Sequence, residues 1–319
     1  MLGEFEIIAR YFTRRGKRKD VLLGVGDDAA VLQVPNDRRL VAAVDTIVEG
    51  VHFPHDSAAS DIGYRALAVN ISDIAAMGAV PTWFTLSLSL PAVEERWLEQ
   101  FAAGMFALAD VYDMELVGGD TVKGPLVVTV QILGLVETDR WLTRSGGKPG
   151  DLVFVSGVPG EAAMGLALVQ HKLQSADITS GTLLQQRFSR PEPRVHLGRC
   201  LRKHASAAQD VSDGLLTDLS KLCAASDCGA HLDIETLPRS AAMNALLTRE
   251  AQEPFILGGG DDYELLFTVP PERALQTEAA IASEVRCTPI GRLVEEKRVR
   301  CFRGGCEVGV SAPGYDHFR

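Results

Sequence analysis

Residues 138–151 read TDRWLTRSGGKPGD, a polar stretch holding three glycines and a proline between two apolar runs. Glycine and proline at that density interrupt regular structure. The runs on either side, 126–136 and 151–156, are rich in Val, Ile, Leu and Phe and have strand character. A domain boundary is therefore expected at about 138–150, giving domains 1–137 and 138–319. The length of 319 residues agrees with two domains at the usual ~100–200 residues each.

Upstream of that seam, 21–34 and 40–45 are β-rich, and 61–77 carries Ile62, Ala66, Val69 and Ile74 at helical spacing. Residues 82–90 alternate apolar with polar, as a half-buried strand does. A helix is predicted over 93–111, and strands over 114–117 and 126–136. Downstream come a strand at 151–156, a helix opening near Glu161, and a loop over 171–185. Helices are predicted at 194–203, 214–226 and 241–251, and strands at 230–234, 264–269 and 288–294. The pattern is a mixed α/β chain, α+β in its first half and α/β in its second.

Composition removes several function classes. Lys+Arg is 32 against Asp+Glu 42, a net charge of -10, which argues against a nucleic-acid partner. The apolar runs fall short of the ~18 residues that a membrane span needs, so no membrane partner is expected. Leu2, Phe5, Ile8 and Phe12 recur at helical spacing behind an acidic start, which predicts an amphipathic helix and not a secretory signal. Cys200, Cys223, Cys228, Cys287, Cys301 and Cys306 include no Cys-x-x-Cys pair. Reduced thiols of a cytoplasmic protein are expected ahead of a zinc site.

Chemistry is concentrated in aspartate blocks beside Gly, Ser or Thr. They are Gly26-Asp27-Asp28, Val44-Asp45-Thr46, Asn70-Ile71-Ser72-Asp73, Gly118-Gly119-Asp120-Thr121, Asp210-Val211-Ser212-Asp213-Gly214 and Gly260-Asp261-Asp262-Tyr263-Glu264. Any one of them reads as a turn or a helix cap. Together they suggest cations, because gathered carboxylates do not all ionise cheaply without them. Oxygen donors select Mg²⁺, Mn²⁺ or Ca²⁺ over zinc. Mg²⁺ takes one or two carboxylates and completes its shell with water and phosphate, so several blocks point to several ions on a polyphosphate such as ATP. The P-loop, protein-kinase and Rossmann signatures are all missing. Asp27 reads as a turn residue, and Asp218 and Asp227 as solvated; Asn70 and Ser72 read as helix hydrogen-bonders, and Trp83 and Trp97 as core or interface.

The ordered set GDDAA, DT…GVHF, NISDIAAMGA, GGDT, DVSDGL, GGDDYELLF and GYDHF, from Gly26 to Phe318, resembles the thiamine-monophosphate kinase family. That family lies within the aminoimidazole-ribonucleotide-synthetase-like superfamily of ATP-dependent enzymes. Other branches share the DVSDG-like and GGDT-like blocks; DYELLF and GYDHF point to the thiamine branch. The resemblance implies an N-terminal domain whose four-stranded sheet pairs with that of a second subunit in a barrel-like homodimer core. It also implies a C-terminal α/β layer domain, with ATP and metals bound between the domains. The implied reaction is transfer of the ATP γ-phosphoryl group to thiamine monophosphate, giving thiamine diphosphate and ADP.

Site roles follow from the resemblance position by position. Asp28, Asp45, Asp73, Asp120, Asp210 and Asp213 are implied Mg²⁺ ligands, joined by the backbone of Val44, where the family often has a hydroxyl residue. Gly119, Asp120, Arg144 and Ser212 are implied at ATP. His52, Asp261 and Tyr315 are implied at thiamine monophosphate, with Asp261 standing where the family commonly has Glu. No residue is singled out as a general base, because the accepting phosphate oxygen is already anionic near neutral pH.

Overall fold

A computed structural model describes residues 2–14, 16–310 and 314. They form two compact units, one within 1–74 and 79–139, the other within 75–78 and 140–319.

The first unit opens with α1 (Glu4–Ile7), which runs into a π-helical turn over Ile8–Phe12. Ile7 and Phe12 are buried, whereas Phe5 is 82% exposed, so the buried stripe is not the Leu2/Phe5/Ile8/Phe12 row expected from spacing. Two short strands, β1 (Val21–Leu23) and β2 (Val31–Leu32), pair antiparallel. They flank the Gly26-Asp27-Asp28 loop. The long strand β3 (Arg38–Val48), helix α2 (Ala59–Ala76), strand β4 (Val80–Leu90), helix α3 (Glu95–Val111), strand β5 (Glu115–Lys123) and strand β6 (Val127–Glu137) follow.

These strands make a four-stranded sheet in the order β3-β6-β4-β5. β3/β6 and β6/β4 are antiparallel; β4/β5 is parallel, with α3 as the crossover. Val128, Val130 and Ile132 of β6 are buried with Phe84 and Leu88 of β4. Leu67, Ile71 and Ile74 of α2 and Leu98, Phe101 and Met105 of α3 are buried too. The two helices approach closely because each brings a glycine to the contact. A Cβ on Gly63 would lie 2.1 Å from the Phe101 carbonyl oxygen, and one on Gly104 1.9 Å from that of Ser60. The other sheet face is left open, with Val44 59% and Leu40 49% exposed.

The second unit contains β7 (Leu152–Ser156), α4 (Glu161–Val169), α5 (Ile178–Ser189), α6 (Val195–Leu201), β8 (Ala207–Val211), α7 (Leu215–Ala225), β9 (Gly229–Asp233), α8 (Ala241–Leu246), α9 (Arg249–Gly258), β10 (Glu264–Val269), α10 (Ala274–Ala280), β11 (Cys287–Val294), β12 (Val299–Arg303) and β13 (Cys306–Val308). Its strands form one seven-stranded sheet in the order β13-β12-β9-β11-β7-β10-β8. Alternate residues supply two cores, as the strand period of two requires. Val153, Val155, Val211 and Leu266 join Met164, Leu184, Leu219 and Ile256 on one side. Phe154, Ala208, Leu265 and Phe267 join Leu197, Leu201 and Ile281 on the other.

Three expectations change here. The loop expected over 171–185 holds the first eight residues of α5, whose cap Asp177 accepts from the Thr179 N–H at 3.1 Å and which buries Gly181, Leu184 and Phe188. The helix expected over 241–251 is two helices, because Ser240 caps one and Thr248 caps the next. The hairpin β12–β13 was not anticipated; its turn is Gly304-Gly305, both at positive φ, as tight hairpin turns favour.

Candidate active site

In the first unit three of the aspartate blocks sit on β3, α2 and β5, and the fourth, Gly26–Asp28, lies in the β1–β2 loop. Gly118–Thr121 lies inside β5 and not at a strand end, paired in parallel with Thr85–Leu88 of β4. A Cβ on Gly119 would fall 1.9 Å from the Leu86 carbonyl oxygen. Only glycine allows the two backbones this approach. Register puts Thr46, Thr129, Ser87 and Asp120 in one row across the sheet, and the Thr46 and Thr129 hydroxyls hydrogen-bond at 2.8 Å.

A cavity of about 420 Å³ is lined by Gly26, Asp27, Asp28, Gly118, Gly119 and Asp120 together with Phe5, Ile8, Phe12, Leu86 and Leu116. The structure thus brings Asp28, Gly119 and Asp120 together, with one polar wall and one apolar wall. The Asp28 N–H donates to Asp27 Oδ1 at 2.8 Å, so Asp27 shapes the turn that presents its neighbour.

Asp45 lies on β3, and its N–H donates to Asn70 Oδ1 at 3.0 Å. Asn70 is fully buried in α2 and donates in turn to the Ala66 carbonyl at 3.0 Å. Asp73 is three residues further along the same helix, inside it and not at its start. The Val44 side chain points to solvent, leaving only its backbone for a metal. His52 is half-buried, and its Nδ1 accepts from the Val48 N–H at 3.0 Å. That bond orients the ring.

In the second unit, two motifs far apart in sequence are joined. The Asp261 N–H donates to the Ser212 carbonyl and the Tyr263 N–H to the Val211 carbonyl, both at 2.9 Å. Asp210 is buried on β8, opposite Leu265 of β10. Asp261 and Tyr263 both have positive φ, 70° and 52°, a strained choice for tyrosine. The strain is held by two anchors. Asp262 accepts the Gly160 N–H at 2.7 Å and the Ala162 N–H at 3.2 Å, at the start of α4. Glu264 takes Arg194 and the Ser156 hydroxyl. Burial pushes the Asp262 carboxyl well above the ordinary carboxylate range, against the pull of its two amide donors.

Asp218 corrects an expectation. It is 1% exposed, not solvated, and its Oδ2 accepts the N–H groups of Ser212 at 3.0 Å and Asp213 at 2.9 Å. Lys221 bridges Asp218 Oδ1, at 2.8 Å, and the Asp213 carboxylate. Burial works against the Lys221 ammonium, yet the two carboxylates hold it above its ordinary range. Sequence reading missed Lys221, Arg194 and the anchoring roles of Asp218 and Asp262. The usable signal was helical spacing, Asp218 and Lys221 falling one turn and two turns after Asp213-Gly214. Arg144 is exposed, and its carbonyl accepts from Ser226 Oγ at 2.9 Å. Gly314 lies against Thr217 and the Asp213 carbonyl; Tyr315 lies outside the described residues.

No group of three or more His, Cys, Asp or Glu among the described residues makes a ready metal cage. Asp28 and Asp120 line one cavity, a donor set that fits Mg²⁺, an ion that uses one or two carboxylates and takes the rest from water and phosphate.

Family comparison places this architecture. Residues 26–136 match the model of the AIR synthase related protein N-terminal domain, and 148–303 that of its C-terminal domain. Thiamine-monophosphate kinase of Escherichia coli strain K12 is 48% identical over 319 residues, covering 99% of this chain and 98% of that protein. This chain belongs to the thiamine-monophosphate kinase family. Among solved structures, the family member from Stenotrophomonas maltophilia K279a is 45% identical with a TM-score of 0.85, covering 89% of this chain and 92% of that one. AaThiL complexed with AMPPCP and TMP is 32% identical with a TM-score of 0.77, covering 92% of each chain. Both units of the fold are therefore those of thiamine-monophosphate kinases.

Proposed function

We propose that the protein transfers the γ-phosphoryl group of ATP to the phosphate of thiamine monophosphate, in the presence of Mg²⁺, to give thiamine diphosphate and ADP. The observation that carries this reading is the cavity in which Gly26–Asp28 and Gly118–Asp120 meet, in a chain whose family members include one complexed with AMPPCP and TMP. An oxygen of the thiamine phosphate attacks the γ-phosphorus, and the bond from that phosphorus to the β–γ bridging oxygen breaks. The attacking oxygen is already anionic near neutral pH, so the chain needs to supply no strong base. Its tasks are to align two anions and limit their repulsion.

Asp28, Asp45, Asp73, Asp120, Asp210 and Asp213, with the Val44 carbonyl, are read as the Mg²⁺ ligands. The ions, when bound, would offset the charge of the phosphates. Gly119 and Asp120 are read at the ATP phosphates, with Arg144 and Ser212 also at the nucleotide. His52, Asp261 and Tyr315 are read at thiamine monophosphate. The domains are taken as 1–137 and 138–319. The open face of the four-stranded sheet, with Leu40 and Val44 exposed, supports a homodimer in which that face meets its counterpart. No helix among the described residues is long and apolar enough to cross a membrane, and free thiols agree with a cytoplasmic setting.

Product analysis tests the reading. Purified protein with ATP, Mg²⁺ and thiamine monophosphate should yield thiamine diphosphate and ADP in equal amounts, and a chelator should abolish both. ADP without thiamine diphosphate would remove thiamine monophosphate as the acceptor.

A further inference from the structure

Asp218 does not line the cavity of the first unit, and the family resemblance assigns it no role, yet its carboxylate receives three donors. Its Oδ2 receives two consecutive backbone N–H groups, those of Ser212 at 3.0 Å and Asp213 at 2.9 Å. Its Oδ1 receives the Lys221 ammonium at 2.8 Å, and the same ammonium reaches the Asp213 carboxylate. Its own carbonyl accepts from Gln209 Nε2 at 2.8 Å, and Gln209 directly precedes Asp210. The carboxylate is 1% exposed. A buried carboxylate is retained at a desolvation cost unless its partners satisfy it. Here the partners are the backbone of one loop and a lysine bound to a side chain of that loop. The loop also carries the carbonyls of Val211 and Ser212 that receive the Tyr263 and Asp261 N–H groups.

We infer that Asp218 is a positioning residue: it holds the 210–213 loop, before any cation arrives, in the conformation in which Asp210 and Asp213 meet Mg²⁺. The inference rests on the reading of Asp210 and Asp213 as metal ligands. Lys221 neutralises Asp218 and keeps the Asp213 carboxylate turned to the same side of α7. Such preorganisation is the usual task of groups that hydrogen-bond metal-bearing segments without touching the metal.

The test uses the full chain and Mn²⁺ as the probe. Free Mn²⁺ is counted by electron paramagnetic resonance, in the presence of a non-hydrolysable ATP analogue, for the wild type, Asp218→Asn and Asp213→Asn. Asn at 218 keeps an oxygen for the two N–H groups but puts an amide where the lysine needs a carboxylate. A folded Asp218→Asn protein with Mn²⁺ affinity weakened about 10-fold or more bears the inference out; a folded variant with wild-type affinity overturns it. Wild-type Mn²⁺ binding in Asp213→Asn would instead overturn the ligand reading underneath. Should Asp218→Asn fail to fold, amide exchange on the wild type decides. Slow exchange across 211–214 in metal-free protein supports a preset loop, and fast exchange that slows only when metal is added overturns it.

Discussion

Arg194 donates to Glu264 twice, from Nε to Oε2 at 2.8 Å and from Nη2 to Oε1 at 2.5 Å, with both side chains almost wholly buried. Glu264 opens β10 immediately after the strained Asp261–Tyr263 segment, so the pair ties that segment to the sheet. Ser156 adds its hydroxyl to the same carboxylate and accepts the Leu265 N–H at 2.8 Å. Removing one partner of such a pair leaves a buried charge without compensation, at a cost of about 3–5 kcal/mol. Arg194→Met should therefore lower the urea midpoint of unfolding by that amount of stability. The double change Arg194→Met with Glu264→Gln should recover part of it. Equal midpoints for wild type and Arg194→Met would show that the pair holds nothing in place.

Gly119 makes a separate prediction, in the first unit. Its missing side chain lets the Leu86 carbonyl approach to where a Cβ would sit 1.9 Å away. Both partners are backbone, so neither can rotate aside. Gly119→Ala must part β4 from β5, and overpacking of this kind costs about 1–3 kcal/mol. The parted strands also carry Asp120, so KM for ATP should rise along with the loss of Tm. Gly118→Ala, where the nearest atom is the Thr85 methyl at 4.0 Å, should be far milder. Similar effects at both positions would contradict the close-approach explanation.

Much of the fold was legible because the strongest signals were local. The alternation of 82–90 lies within β4, and the helical spacing from Ile62 to Ile74 lies within α2. What misled was also physical. Asp177 and the spaced Gly181, Leu184 and Phe188 form a helix start, but the polar residues around them read as loop. Asp218 read as solvated because charge on a helix usually is; its burial follows from a tertiary bond to the loop before it, which periodicity does not express. The aspartate blocks stood out in the sequence as a set, whereas their neighbours Asn70, Arg194 and Lys221 are ordinary residues of helices or of a helix cap whose partners are fixed only by folding.

The cysteines should differ sharply in reactivity. Burial pushes the Cys223 and Cys287 thiols up to about 12 and Cys301 to about 11, so at pH 8 almost none of each is thiolate. Cys306 is exposed. Brief iodoacetamide treatment of the native protein at pH 8, followed by peptide mass spectrometry, should label Cys306 first and leave Cys223 and Cys301 unmodified until denaturant is added. Early labelling of Cys223 would show that the second unit opens more readily than its packing implies.

Asp210 separates metal binding from folding. It is buried on β8, and its strand pairing with Leu265 is made by backbone, so Asp210→Asn should keep the strand in register and the far-ultraviolet circular dichroism unchanged. A neutral amide is a poor ligand for a hard cation, so turnover should fall strongly and should be recovered in part by raising Mg²⁺. Full turnover at the wild-type Mg²⁺ requirement would remove Asp210 from the ligand set.

The proposed homodimer rests on the open sheet face, and Leu40 is the residue that tests it. Leu40 is 49% exposed on β3, and Val44, four residues along the same strand and therefore on the same face, is 59% exposed. A lone apolar surface residue needs no explanation, but a strand that repeats them on one face does. If that face meets its counterpart in a second copy, a charge there is repeated twice across the interface and faces an apolar partner. Leu40→Asp should then shift the mass seen by light scattering from dimer toward monomer at micromolar concentration. It should leave the far-ultraviolet circular dichroism unchanged, because the side chain contributes little to its own unit's core. A change at an exposed position outside this face, Leu275→Asp on α10, serves as the control, since Leu275 is more exposed still and belongs to the other unit. Loss of dimer in both variants would point to general destabilisation; loss in neither would place the subunit contact elsewhere on the chain.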